Sequence, residues 1–397
     1  MTLDSPLRPE TAATPATIAN ARIVTGDSVI RGGLGFAEGR ISALGPAAEQ
    51  AAGADAADWE GDLAIAGLID LHTDHLERHF NPRPGVWWDP VAAAVSYDVQ
   101  VAGSGITTVF DAVSMVGGGA RDKDRQRARM LAPMIDGVRR AQAAGMLRAE
   151  HFLHLRCEIT DPDVMALVDP FLGDPMVRFL SLMDHSPGQR QFADLDAYRR
   201  LYTEMMGLSE DEFATFVAEQ QEIARTLGPR HRRALTELGH AHGLAMASHD
   251  DQTEDHVREA RDDGFMVAEF PTTRAAAAAA RHHGMSVLMG APNLIRGGSH
   301  SGNVACAELA REGLLDILAS DYVPGSLLPA AFRLTGEDIG WSLPEAVATV
   351  TANPARVAGL EDRGTLDPGR RADVIRVRPV DGVPVIREVW REGRRVA

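Results

Sequence analysis

The segment Gly67-Leu68-Ile69-Asp70-Leu71-His72-Thr73-Asp74-His75 carries the strongest chemical signal in the chain. An apolar run from Ala64 to Leu71 ends abruptly in side chains that bind metals. Residues i and i+2 of a strand share a face, so His72 and Asp74 project together from its C-terminal end. One imidazole and one carboxylate presented in this way make half of a divalent-metal site. A structural salt bridge is the plainer reading of such a pair taken alone, and candidate partners downstream favour the metal.

Those partners are Glu158, His185, His249 and Asp321, each near the C-terminal end of an apolar, strand-like segment. In His154-Leu155-Arg156-Cys157-Glu158, polar and apolar residues alternate strictly. His154, Arg156 and Glu158 therefore share one face, and Leu153, Leu155 and Cys157 the other. Barrel strands normally point aliphatic residues inward, so His, Arg and Glu on the inner face need partners such as a metal or an anion. His75, His79, His151 and His154 lie near the site, as ligands or as their support. His231, His240, His242, His256, His282 and His283 fall in helical or flanking segments and read as surface or packing residues.

Two loops have the composition of anion sites. Arg296-Gly297-Gly298-Ser299-His300-Ser301-Gly302-Asn303 follows a strand and precedes a helix expected at Val304–Glu312. Its glycines free backbone N–H groups, a helix N-terminus adds positive partial charge, and Arg296, Ser299 and His300 supply donors. His185-Ser186-Pro187-Gly188-Gln189-Arg190-Gln191 places Arg190 beside a proposed ligand. Arg83 stands on a Pro-flanked loop soon after the first metal motif. With Arg156, these arginines suit bidentate phosphate binding, and a solvated surface position is the competing reading for each.

The elements that must position these groups alternate between strand-like and helix-like segments, the pattern of a parallel α/β fold. Strands are expected at Ala64–Leu71, Ile106–Ala112, Phe152–Ile159, Val177–Asp184, Leu244–Ser248, Met266–Phe270, Ser286–Met289 and Leu315–Ala319. Eight is the number that closes a (β/α)8 TIM-like barrel. Helices are expected at Arg121–Ala144 and Arg274–His283, and a long helical insertion at Leu195–Leu238, broken at Gly207 and Gly228-Pro229. Insertions of this length serve as lids or oligomer contacts, so a homo-oligomer is compatible with the chain.

Short β-like pieces also occupy both ends: Thr17–Val24, Val29–Ala37 and Arg40–Leu44, then Ala372–Arg378 and Val385–Arg391. Neither end has the apolar surface for its own core, so the two are expected to join in one small β-sandwich. The expected organisation is a disordered leader over 1–15, a composite sandwich from 16–63 and 357–397, and a barrel over 64–356 with its insertion at about 190–240.

Composition narrows the function. The chain has 397 residues and a formal net charge of −16. That argues against a nucleic-acid footprint and requires any anionic substrate to be held by local cations. Apolar runs stop well short of the ~20 residues that span a membrane. Met1–Pro15 lacks the pattern of a secretory signal. Cys157 and Cys306 are the only cysteines and form no CxxC, which fits a reducing cytoplasm and gives no disulfide or zinc-knuckle framework.

The strand ending in an HxH-like motif, the later single ligands and the flanking β elements resemble the amidohydrolase superfamily. The closing Gly364-Thr365-Leu366-Asp367-Pro368-Gly369-Arg370-Arg371-Ala372-Asp373 is similar to that superfamily's return into the small domain. Asp74 stands where its second histidine usually is. That departure, with Arg156-Cys157-Glu158, Leu182–Gln189, Ala247-Ser248-His249-Asp250-Asp251, Ala268–Thr273, Gly290-Ala291-Pro292-Asn293 and Arg296–Asn303, resembles the phosphonate-utilisation hydrolases of the carbon–phosphorus lyase pathway.

The resemblance implies release of pyrophosphate from the 5-triphosphate of a ribose 1-phosphonate, a small sugar substrate. It also implies two divalent ions: His72, Asp74 and Asp321 around one, His185 and His249 around the other, and Glu158 near or between them. Histidine and carboxylate ligands fit zinc, manganese or iron. Two such ions roughly 3.5–4 Å apart generate hydroxide at neutral pH. Asp321 is then the expected general base, and attack at the α-phosphorus expels pyrophosphate. The alternatives are a superfamily C–N hydrolase, such as a cyclic amidase or deacetylase, and a non-catalytic assembly protein that keeps the barrel.

Overall fold

The computed structural model describes residues 17–83, 85–117, 122–192, 195–196, 198–199, 209–299 and 302–397. It begins with β1 (Thr17–Val24), β2 (Val29–Ala37), β3 (Arg40–Gly45), β4 (Ala57–Asp58) and β5 (Leu63–Ala66). Eight strands follow: β6 (Leu68–Thr73), β7 (Ile106–Met115), β8 (Glu150–Glu158), β9 (Val177–Met183), β10 (Ala245–His249), β11 (Val267–Glu269), β12 (Ser286–Gly290) and β13 (Ile317–Ala319). The chain returns through β14 (Val374–Val380), β15 (Val383–Arg391) and β16 (Arg394–Arg395).

β6 to β13 pair in chain order, each parallel to the next. At the seam, the main chain of Asp321 bridges to β6. Its N–H donates to the His72 carbonyl at 2.9 Å, and its carbonyl accepts from Asp74 N–H at 2.8 Å. Lower down, the Thr349 and Val350 carbonyls take the Leu318 and Ile69 N–H groups at 3.0 and 2.9 Å. The barrel is thus nearly closed, with a short run of chain wedged into its last gap. Closing the seam beside Asp321 sets that carboxylate next to His72 and Asp74.

Side-chain parity separates two cores. Ile69, Leu71, Phe110, Phe179, Ala247 and Leu288 fill the barrel's interior. Leu153, Leu155 and Cys157 join the larger cluster between strands and helices. The other sheet runs β16-β15-β14-β5-β1-β2-β3, with β4 paired to β1, so both chain ends build it together. Its core likewise mixes the ends: Ile18, Ile23 and Trp59 pack with Leu366, Val374 and Trp390.

Two expected elements are different in the structure. The run Ala64–Leu71, expected as one strand, is divided: β5 pairs with β1 and β14, whereas β6 opens the barrel. Gly67 is the pivot, and a Cβ there would lie 2.3 Å from the Thr107 hydroxyl oxygen. No apolar pattern marks that change of sheet, because both strands are buried throughout. The second difference is at Gly228-Pro229, expected as a break, where a single helix runs from Glu210 to Ala241. A proline inside a helix costs about 3 kcal/mol. Burial of Leu235, Thr236 and Gly239, and a 2.9 Å hydrogen bond from His231 to the Ile159 carbonyl, anchor the second half and outweigh it. The leader, His300 and part of the insertion, including Gly207, lie outside the described residues.

Candidate metal centre

The C-terminal ends of β6, β8, β10 and β11, with the turns after β9 and β13, converge on two adjoining cavities of about 220 and 1190 Å³. Arg156, His185, Arg296 and Asp321 line both. Donor atoms come within 4.8 Å of one another in three groups: His72 with Asp74 and Asp321, His185 with His249 and Asp250, and His72 with His154 and Glu269.

His72 is wholly buried, and its Nδ1–H donates to Glu269 Oε1 at 2.7 Å. Its Nε2 lies 3.4 Å from Asp74 Oδ1 and has no hydrogen-bond partner. Burial pulls this imidazole down, but Glu269 and Asp74 outweigh it and push its pKa up to about 10. Arg156 donates to both Asp74 oxygens at 2.8 and 2.9 Å and approaches His249 Nε2 at 3.4 Å. Against the cost of burial, Arg156 and His72 hold the Asp74 carboxyl far below the usual range.

The second group is organised similarly. His185 Nδ1–H donates to Glu158 Oε2 at 2.8 Å, while Thr160 donates to Glu158 Oε1 at 2.7 Å. This fixes the ring and leaves Nε2 facing Asp250 Oδ2 at 3.5 Å. His249 Nδ1 approaches the same oxygen at 3.0 Å. Neither His249 Nδ1 nor Asp250 Oδ2 has a hydrogen-bond partner. Buried polar atoms are nearly always paired, so the orphans His72 Nε2, His249 Nδ1, Asp250 Oδ2 and Glu269 Oε2 fit a site that takes cations.

His154 is excluded from direct ligation by its own bonds. Its Nδ1–H donates to the Leu71 carbonyl at 3.0 Å, and its Nε2 accepts from the Ser181 hydroxyl at 2.8 Å. Burial pulls it down to about 3, so it stays neutral beneath His72. The backbone around the pocket is strained: Asp250, Phe270 and Asp321 have φ of 56°, 53° and 56°, unfavourable for non-glycine residues.

An amidohydrolase family model matches residues 99–397. The chain belongs to the amidohydrolase family. It is 45% identical over 380 residues to alpha-D-ribose 1-methylphosphonate 5-triphosphate diphosphatase of Escherichia coli (strain K12), covering 96% of this chain and 99% of that protein. It is 27% identical over 368 residues to imidazolonepropionase of Geobacillus thermodenitrificans, covering 86% of this chain and 82% of that one. The fold is similar to 5-methylcytosine deaminase from Klebsiella pneumoniae, at a TM-score of 0.61 and 17% identity, with 96% of this chain and 98% of that chain covered.

In this amidohydrolase, the six expected ligands His72, Asp74, Glu158, His185, His249 and Asp321 gather around the two cavities. Glu158 reaches the site through its contact with His185. Arg156, Arg296 and Ser299 are on the walls. Arg83 is exposed and absent from both cavity walls, so its expected role in phosphate binding is not supported by its position. Arg190, likewise expected as a phosphate ligand, is turned inward instead. It is buried and committed to the Asp251 carboxylate and, at 3.2 Å, the His249 carbonyl, so it clamps the turn that carries His249.

The Gly-rich loop also differs from expectation. Its helix begins at Cys306 and spans only Cys306–Arg311, and Asn293 Oδ1 already accepts the Cys306 N–H at 2.9 Å. The first N–H of that short helix is therefore already bonded within the protein. Glu269 and Asp250 also belong to this site, although neither is among the residues expected from the sequence. The rule that selected the others, a polar residue ending an apolar strand, applies equally to Met266-Val267-Ala268-Glu269.

Proposed function

We propose that this amidohydrolase cleaves the 5-triphosphate of an alpha-D-ribose 1-phosphonate, releasing pyrophosphate and leaving the 5-phosphate. The carrying observation is 45% identity extending over essentially the full length of the Escherichia coli diphosphatase. The site's chemistry agrees with it. An acidic chain has to hold a polyanion with local cations, and Arg156 and Arg296 stand together on the larger cavity's wall. Arg296 makes no ion pair among the described residues, which leaves its guanidinium available for a phosphate.

The donor set fits two divalent ions such as zinc, manganese or iron: His72, Asp74 and Asp321 for one, His185 and His249 for the second, with Glu158 at its edge. When bound, such ions acidify water and offset charge building on phosphoryl oxygens. The chain's own groups do the rest. Asp321, which burial pushes above the usual carboxylate range despite His72, takes a proton from water in the cavity it lines. Arg296, on a different loop from His72 and Asp74, holds the leaving group. That separation suits attack at the inner phosphorus and departure of a large anion.

Hydrolysis of the sugar triphosphate in oxygen-18 water tests this. The label is expected in the sugar 5-phosphate, with pyrophosphate unlabelled. Label in pyrophosphate would overturn the geometry, and release of single phosphate would overturn the diphosphatase reading.

A further inference from the structure

The division of ligands described above gives the second ion two histidines with Glu158 at its edge, and Glu158 already accepts from His185 Nδ1–H, whereas a catalytic divalent site normally has three protein donors. We infer that Asp250 is the third ligand, so that His185 Nε2, His249 Nδ1 and Asp250 Oδ2 form one ion site. Glu158 then acts as a positioning residue behind it. The inference rests on the metal-dependent reading of this barrel face and is independent of the substrate.

Three observations carry it. The first is convergence: Asp250 Oδ2 lies 3.0 Å from His249 Nδ1 and 3.5 Å from His185 Nε2. Ligand atoms about 2.0–2.2 Å from a shared tetrahedral ion are separated by roughly 3.3–3.6 Å. The His185–Asp250 separation falls in that range, and the His249–Asp250 separation is somewhat shorter. Donor atoms of all three residues lie within 4.8 Å of one another. The second is the absence of direct bonding. Despite the 3.0 Å approach, His249 Nδ1 and Asp250 Oδ2 do not satisfy each other as hydrogen-bond partners, although both residues are at least 95% buried.

The third is the backbone. Asp250 follows β10 directly and has φ of 56°, a conformation costing an L-residue about 1–2 kcal/mol. A strand continuing past His249 would send the next side chain to the opposite face. The left-handed turn instead folds the Asp250 carboxylate back beside the His249 ring. The Asp250 N–H donates to the Glu269 carbonyl at 2.9 Å, and the clamp of Arg190 on the His249 carbonyl holds the turn.

The supporting shell is consistent with this assignment. Glu158 accepts from His185 Nδ1–H, which fixes the tautomer that leaves Nε2 free to ligate. Ligation through His249 Nδ1 requires its Nε2 to carry the proton. That N–H would then turn from Arg156, 3.4 Å away, towards Glu269 Oε2 at 3.7 Å, an atom with no other partner. Glu269 would thereby hold His72 through one oxygen and His249 through the other. Arg156 would keep Asp74 and release its second nitrogen to the cavity.

The test uses the full-length protein stripped of metal by chelator and titrated with Co²⁺, following heat and the cobalt absorption bands. The unaltered protein should take up two equivalents. Asp250→Gly removes the carboxylate while accepting the positive φ without a Cβ penalty. It should keep one equivalent and weaken the other by about 100-fold or more, and the metal-free form should melt no lower than the parent. Glu158→Gln should weaken that same equivalent by about 10–100-fold. Two equivalents with unchanged affinity in Asp250→Gly would exclude Asp250 as a ligand. A drop in metal-free melting temperature with unchanged cobalt binding would assign it a structural role instead. If the unaltered protein takes up a single equivalent, the two-ion reading falls, and this inference with it.

Discussion

One strand, β8, shows the contrast between the barrel's two ends. At its start, Glu150 is held by Arg363 and Arg371. Arg363 donates to the Thr108 hydroxyl at 2.9 Å and to Asp362 at 2.7 Å, and Arg371 to Asp373 at 2.8 Å. None of these charged groups is among the unpartnered buried atoms of the described residues. At its other end, Glu158 belongs to a cluster in which His72, His249, Asp250 and Glu269 each have an unpartnered atom. Both ends bury charge. The lower end completes its bonds with side chains of the returning segment, tying the barrel to the sheet built from both chain ends. The upper end leaves bonds open, and open bonds in a buried site are where an ion or substrate binds. Barrel folds commonly divide stability and chemistry in this way.

Substitutions at the two ends should therefore fail differently. The largest effect is expected at Asp321→Asn, which keeps an oxygen donor but removes the proposed base. Turnover should fall by ~10²–10⁴ with little change in thermal stability or KM. Near-normal turnover with the metal fully loaded would move the base elsewhere. At the lower end, Arg371→Met strands the Asp373 carboxylate and leaves Glu150 with Arg363 alone. Breaking a buried pair of this kind costs about 3–5 kcal/mol, read by chemical denaturation, while turnover per folded molecule should not change. A loss of turnover without loss of stability would contradict the division. The smallest effect is expected from Arg296→Ala on the exposed rim: KM for the triphosphate should rise by about 10-fold or more, and binding of the monophosphate product should change little. Equal weakening of both would place Arg296 away from the leaving group.

Much of the positioning of this site is legible in the sequence. Strict alternation in β8 is enough to put Leu153, Leu155 and Cys157 outside and Arg156 and Glu158 inside. The polar residue closing each apolar strand is enough to nominate His72, Glu158 and His249, because parity and strand direction are local properties of the chain. Asp250 is illegible by the same rule, since parity sends it to the wrong face and only a left-handed turn brings it back. Gly67 is illegible for another reason: two consecutive strands of different sheets, both fully buried, have one continuous apolar pattern.

What the sequence determines by itself is therefore the order and type of the elements, the faces of the strands, and the family, which is written in long motifs. What only the tertiary structure decides is which charges meet. Arg190 looks like a phosphate ligand until Asp251, 61 positions away, is found against it. Glu269 looks like the end of a strand until it is found bonded to His72, 197 positions away. Periodicity reports the direction in which a side chain leaves its own backbone. Whether that side chain stays open for a ligand depends on the partner that long-range folding brings within about 3 Å, and local sequence does not encode that distance.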